Sequence, residues 1–298
     1  MPIAPYFRRD AEYRAFTGPH CGNRIARSAE RLRAHRIFAD LSALPPHDRE
    51  IAGIRTLQDL CRPVDLAHPG STGELTERTQ KRYDDTVLVL AEIGEKGLGH
   101  KDADAAVSRM NDMHSRFRIR NEDFLYTLST FVFEPIRALE RYGPRPMTPV
   151  EQRGWFCAYR RLGERMGITD LPHDLATFRA WREAFEQREM RFAPTNRAVA
   201  DATMTVLFDM LKVPAFTRGL ARQAAIALME PQVAEAFGYP RPNKAVIAAM
   251  EWLMALRKLV AGALPDRKSL RLQSRRWLPT YPSGYQIERL GTFARPPA

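Results

Sequence analysis

Apolar residues recur at spacings of three and four along most of the chain. No stretch shows sustained period-two alternation bounded by hairpin turns, so the pattern predicts helices and an all-α fold. The run TQKRYDDTVLVLAEIGEKG predicts a helix over about Thr79 to Lys96, stopped by glycines. A second is expected from about Ala103 to Phe117, with Ala106, Met110, Met113, His114 and Phe117 on one face. Asn121 is expected to cap a third, ending at Gly143 and kinked at Pro135, which lacks an N–H for the helical ladder. T-P-V-E at Thr148–Glu151 is a capping box with proline at the first helical position, opening a helix to Met166 and a stop at Gly167. Asp174 should cap the next, through about Met190. Further helices are expected at about 195–212, 216–229 and 243–263, broken by Pro214, Pro231, Pro240 and Pro242, and another at roughly 22–41.

The chain has 298 residues, 44% hydrophobic and 27% charged, a composition that suits a folded globular protein with room for an internal pocket. No internal repeat or Gly/Ser linker divides it. The expected organisation is a helical and loop-rich extension over 1–50, a main all-α domain over 51–264, and a basic, irregular tail over 265–298 packed on that domain. Lys and Arg number 46 against 35 Asp and Glu, a formal charge of +11, which would attract nucleic acid, anionic lipid or an acidic cofactor. No zinc-finger spacing or RNA-binding signature accompanies the charge, and nucleic acid is not expected. Cys21, Cys61 and Cys157 are widely spaced, which argues against a disulfide framework and for a reducing, cytoplasmic setting. The opening MPIAPYFRRDAEYRAF lacks a signal-peptide core, and VIAAMEWLMALRKLVAGAL carries charges that make it amphipathic rather than membrane-spanning.

The nucleophile elbow, the phosphate-binding loop, H-E-x-x-H and the dinucleotide glycine fingerprint do not occur. Asp84 and Asp85 are adjacent on a helix and point about 100° apart, so one is expected to face inward and one outward. Arg82 and Thr86 share a helix face that continues into Val89, Leu90 and Ile93. An arginine entering an apolar stripe needs an anion, either a protein carboxylate such as Asp123 or Glu134, or a cofactor propionate or phosphate. His114 poses a similar choice between a hydrogen-bonded core residue and a ligand. One histidine is too few for zinc but enough for haem iron, whose porphyrin fills the equatorial positions. A haem would also use the surface of Met110, Met113 and Phe117, and the Arg82 guanidinium for a propionate.

Arg82–Thr86 (R-Y-D-D-T), Arg109–Phe117 (R-M-N-D-M-H-S-R-F) and Asn121–Arg137 (N-E-D-F-L-Y-T-L-S-T-F-V-F-E-P-I-R) closely resemble the MpaB-type oxygenase family. The resemblance continues through Trp155–Ile168, Thr195–Thr203 and Tyr281–Gly291, so it covers most of the chain from about residue 50. That family shares its catalytic domain with the latex clearing proteins, the bacterial rubber oxygenases. The resemblance implies an all-helical fold around haem b, with His114 as the axial ligand and Arg82 and Thr86 beside the haem. It implies dioxygen-dependent cleavage of a carbon–carbon double bond in an isoprenoid or other unsaturated apolar substrate. Latex clearing proteins carry a lysine immediately before the threonine, where this chain has Asp85, so any distal acid or base differs and Asp85 is itself a candidate. The alternatives are a haem-binding sensor, or a peroxidase-like or monooxygenase enzyme acting on a small apolar metabolite. The basic, apolar C-terminal region could touch a membrane surface peripherally.

Overall fold

The computed structural model describes residues 77–143, 145–263, 273–275 and 277–291, and those residues are helical with no β-strand among them. The helix expected over 22–41, Cys21, Cys61 and most of the C-terminal basic cluster lie outside them. Among the described residues nine α-helices follow one another: α1 Thr79–Lys96, α2 Lys101–His114, α3 Asn121–Tyr142, α4 Pro149–Arg165, α5 Leu175–Glu189, α6 Pro194–Met210, α7 Arg218–Leu228, α8 Pro231–Ala236 and α9 Lys244–Ala263. Short 3-10 turns lie at Ala215–Thr217, Gln273–Arg275 and Ile287–Arg289.

Local chemistry explains the helix boundaries. Gly97, at φ 77°, turns the chain after α1, and the His100 side chain accepts from the Asp102 N–H to open α2. The short connection folds α2 back onto α1, the most extensive helix pairing among the described residues. The capping box of α4 forms as the sequence predicts: Thr148 Oγ1 accepts from Glu151 N at 3.3 Å, and Glu151 Oε2 accepts from Thr148 N at 2.7 Å. Asp174 caps α5 by accepting from Thr177 N at 2.8 Å. That contact holds the Asp174 carboxyl below its ordinary range.

Three expectations about boundaries need correction. Asn121 is the first residue of α3 rather than its cap; its side chain instead holds both backbone groups of Thr169, at 2.9 and 3.1 Å, tying the segment after α4 to α3. α2 ends at His114, and Phe117 lies in the turn beyond it, its N–H donating to the His114 carbonyl at 3.0 Å. Pro231 does not merely break a helix: it opens the short α8 from its first position, where a missing N–H costs nothing.

Two clusters of buried side chains form on either side of the chain's middle, and a third sits under the C-terminal segment. Leu125, Val132 and Phe133 of α3 meet Trp155 and Phe156 of α4 and Phe178 of α5. α6, α7 and α8 enclose Met204, Phe208, Ile226 and Phe237. Leu88 and Ile93 of α1 meet Ala106 and Met110 of α2, Leu162 of α4, and Leu278 and Leu290. Pro135 lies inside a continuous α3. Its missing donor would leave the Phe131 carbonyl one turn earlier unsatisfied, and the Trp155 indole Nε1–H donates to that oxygen at 3.0 Å. Cys157, buried in the first cluster, is disulfide-bonded, against the expectation from the wide cysteine spacing. Sequence separation does not report which sulfurs the fold brings together.

Candidate functional site

The apolar repeat of α2 turns Met110 and Met113 into the interior and leaves His114 partly buried at the helix end. Phe124, in the first turns of α3, presents its ring to the imidazole edge-on, with centroids 5.2 Å apart. The Nδ1 atom of His114 is sealed from solvent and has no hydrogen-bond partner among the described residues. Burial first, and then the charge of the Arg82 guanidinium on α1, together lower the pKa of the ring to about 4, so the imidazole is neutral at physiological pH. A neutral imidazole with an unused nitrogen inside the protein is what a metal ligand requires.

Arg82 thus lies near enough to His114 for its charge to act on the ring. The carboxylates suggested as its structural partners have strong partners of their own. Asp123 pairs with Arg120 at 2.8 Å, and Glu134 pairs with Arg182 at 2.7 Å and with Arg137. Thr86 spends its hydroxyl hydrogen on the Arg82 carbonyl one turn back, at 2.8 Å, and so keeps only acceptor capacity toward other groups.

The pair Asp84–Asp85 departs from expectation. Both are buried, at 0% and 3% exposure, because the residues from Ser274 to Gly291 cover the side of α1 that would otherwise face water. Asp84 accepts from Gln80 Nε2 at 2.9 Å and from the Thr280 N–H at 3.1 Å. Asp85 accepts from Lys81 Nζ at 2.7 Å and from the Tyr281 hydroxyl. Lys81 also donates to the Tyr281 hydroxyl and to the Gly291 carbonyl, both at 3.2 Å. Further along α1, Glu92 accepts from the Tyr285 hydroxyl and Glu95 from the backbone and hydroxyl of Ser274. Burial and these carboxylates push both phenols above their ordinary range. Arg109 of α2 completes the clasp by donating from Nε to the Leu290 carbonyl at 2.8 Å.

The clasp ends next to the histidine. Gly291, at φ 80°, lies so close to Met113 that an added Cβ would overlap the thioether sulfur. The site thus joins α1, α2, the start of α3 and the C-terminal segment. The sequence singled out Arg82, Asp85, Thr86, Met110, Met113, His114 and Phe117, and left out Lys81, Tyr281, Tyr285 and Arg109. The available signal for these was the set of carboxylates on α1 among apolar residues, which demand buried donors. A separate open cleft of about 440 Å³ is lined by Glu183, Glu186, Met190, Phe192 and Gln232, and none of the predicted site residues borders it.

Known proteins resemble part of the chain. It is 27% identical over 207 residues to the ER-bound oxygenase mpaB' of Penicillium brevicompactum, covering 63% of this chain and 48% of that one. It is 29% identical over 161 residues to the ER-bound oxygenase mpaB of Penicillium roqueforti, covering 48% and 54% respectively. A 28% identity over 156 residues links it to the mpaB of Penicillium brevicompactum, covering 46% and 40%. The chain spans about half the length of these relatives. Residues 66–259, which include Arg82, Thr86 and His114, match the model of the ER-bound oxygenase mpaB/B' and rubber oxygenase catalytic domain, and the chain belongs to that family.

Proposed function

We propose that this protein is a haem-dependent oxygenase, with His114 as the axial ligand of haem b. The reaction proposed is dioxygen-dependent cleavage of a carbon–carbon double bond in an isoprenoid or other unsaturated apolar substrate. The observation that carries the reading is the buried Nδ1 of His114, without a partner among the described residues, on a ring held neutral by burial and by Arg82. Haem, when bound, would supply the iron at which dioxygen is activated. The chain's own residues would do the rest. Arg82 would meet a propionate and disfavour protonation of the ligand nitrogen beside it. Met110 and Met113 would offer a polarisable apolar wall and keep water from the histidine. Asp85 is engaged by Lys81 and Tyr281, which suits holding the C-terminal segment against α1 better than moving protons at the reacting atoms. A peripheral membrane contact would deliver an apolar substrate.

The test is direct. Protein made with ample haem supply should show a Soret band, and His114→Ala should lose it or most of the bound haem. A colourless wild type overturns the reading. With haem present, incubation under dioxygen with isoprenoid chains should yield carbonyl products. The engagement of Thr86 and Asp85 within the fold favours one alternative, a haem protein that binds oxygen without cleavage. Stable oxygen binding with no carbonyl product would select it.

A further inference from the structure

Helix α9 is built the opposite way round from a helix that faces water. The two cations of its C-terminal half reach back to the protein: Arg257 donates to the Tyr142 carbonyl at 3.1 Å and Lys258 to the Glu140 carbonyl at 2.7 Å, at the C-terminal end of α3. Its outer side is apolar from end to end. Trp252 is 67% exposed and Leu259 73%, and Leu253, Leu256 and Val260 beside them are also exposed. On a helical wheel the exposed positions between these are alanines, and Glu251, the helix's only acid, stands at the edge of the stripe. α7 packs on α9, and the turn entering α7 exposes Phe216 at 90%. Single exposed apolar side chains are ordinary; a continuous stripe of five turns is not.

We propose that this outer face of α9, with Phe216, is a docking surface for an anionic lipid bilayer. The proposal deepens the peripheral contact suggested above by assigning it a face. No helix among the described residues is long and apolar enough to cross a membrane, so α9 would lie in the interface plane with its apolar side down. Charge selects the bilayer over a second copy of the chain. Arg241 and Lys244 are exposed at the start of the stripe. With a formal +11, two copies would bring like charges together, whereas anionic headgroups would meet the cations at the start of the stripe. The amphipathic ring of Trp252, in the middle of the stripe, suits the headgroup boundary.

The full chain should sediment with phosphatidylcholine vesicles containing a third of phosphatidylserine, and added salt should weaken that binding. Binding to phosphatidylcholine alone should be weaker. The double variant Trp252→Glu/Leu259→Glu should bind the anionic vesicles about tenfold less well or worse. Acyl-chain bromines should quench fluorescence in the wild type and less in Trp252→Phe. Absence of vesicle binding overturns the proposal, as does equal binding by the double variant, which would leave the basic residues alone responsible. A concentration-dependent dimer dissolved by the double variant also overturns it, in favour of a second copy. Haem content is read in the same preparations, so vesicle binding by a colourless protein would sink the oxygenase reading and leave the docking face standing.

Discussion

Asp84 and Asp85 show how far a single residue type can be read. Helix geometry turns neighbours about 100° apart, yet both carboxylates are inside, because a segment about 200 residues later lies over the side that the second would otherwise turn to water. Their donors are the consequence: an acid buried without partners would be costly. Tyr281→Phe removes one donor from Asp85 and should destabilise the fold by about 1–3 kcal/mol in urea unfolding, while leaving Lys81 in place. An unchanged midpoint would show that the phenol contributes nothing net. His114 carries the second residue-scale expectation. Its folded pKa, about 4, lies below the unfolded value of 6.5, so between those values the unfolded chain binds the proton and the folded one does not. Haem-free protein should therefore lose on the order of 3 kcal/mol as pH falls from 6.5 to 4, and none from this group above 6.5. The loss should shrink in His114→Phe, and the ring's proton resonances should titrate near 4. An ordinary titration near 6.5 would refute the burial argument.

At the scale of elements, the caps predicted for α4 and α5 held, whereas Asn121 did not cap α3. The capping box of α4 and the Asp174 cap of α5 form as their spacing predicts, since every partner lies within three residues. Thr148→Ala should cost about 1 kcal/mol, read as a lower thermal midpoint. Asp174 stabilises α5 only as the carboxylate, and its depressed pKa means this contribution is present at neutral pH and is lost as pH falls through the folded value. Asp174→Asn should flatten that part of the acid unfolding curve. Pro135 marks the limit of local rules. A proline predicts a damaged helix, but α3 continues, and the freed carbonyl of Phe131 takes its donor from Trp155 on another helix. Trp155→Phe keeps most of the apolar bulk and removes that donor. It should cost about 1–3 kcal/mol, with a larger loss in wild type than in a Pro135→Ala background, where the backbone N–H can restore the bond. Equal losses in both backgrounds would disprove the coupling.

For the whole molecule, the C-terminal segment decides the site. Thr280, Tyr281, Tyr285 and Leu290 reach α1 and α2 across some 180–200 residues of sequence, and Gly291 closes on Met113 beside His114. Gly291→Ala would meet both a positive φ and the Met113 sulfur, and should loosen the clasp, visible as faster amide exchange in residues 278–291. The same scale holds the outward apolar face of α9, where the helix was legible and the side it presents was not. What the sequence determined by itself is the all-α class and most helix limits, since these follow from turn-by-turn periodicity and short-range caps. Tertiary structure alone decided that Asp85 is buried, that Cys157 is disulfide-bonded, that Trp155 mends α3 and that His114 Nδ1 has no partner among the described residues. Each of those depends on which distant group arrives, and a helical repeat carries no information about that.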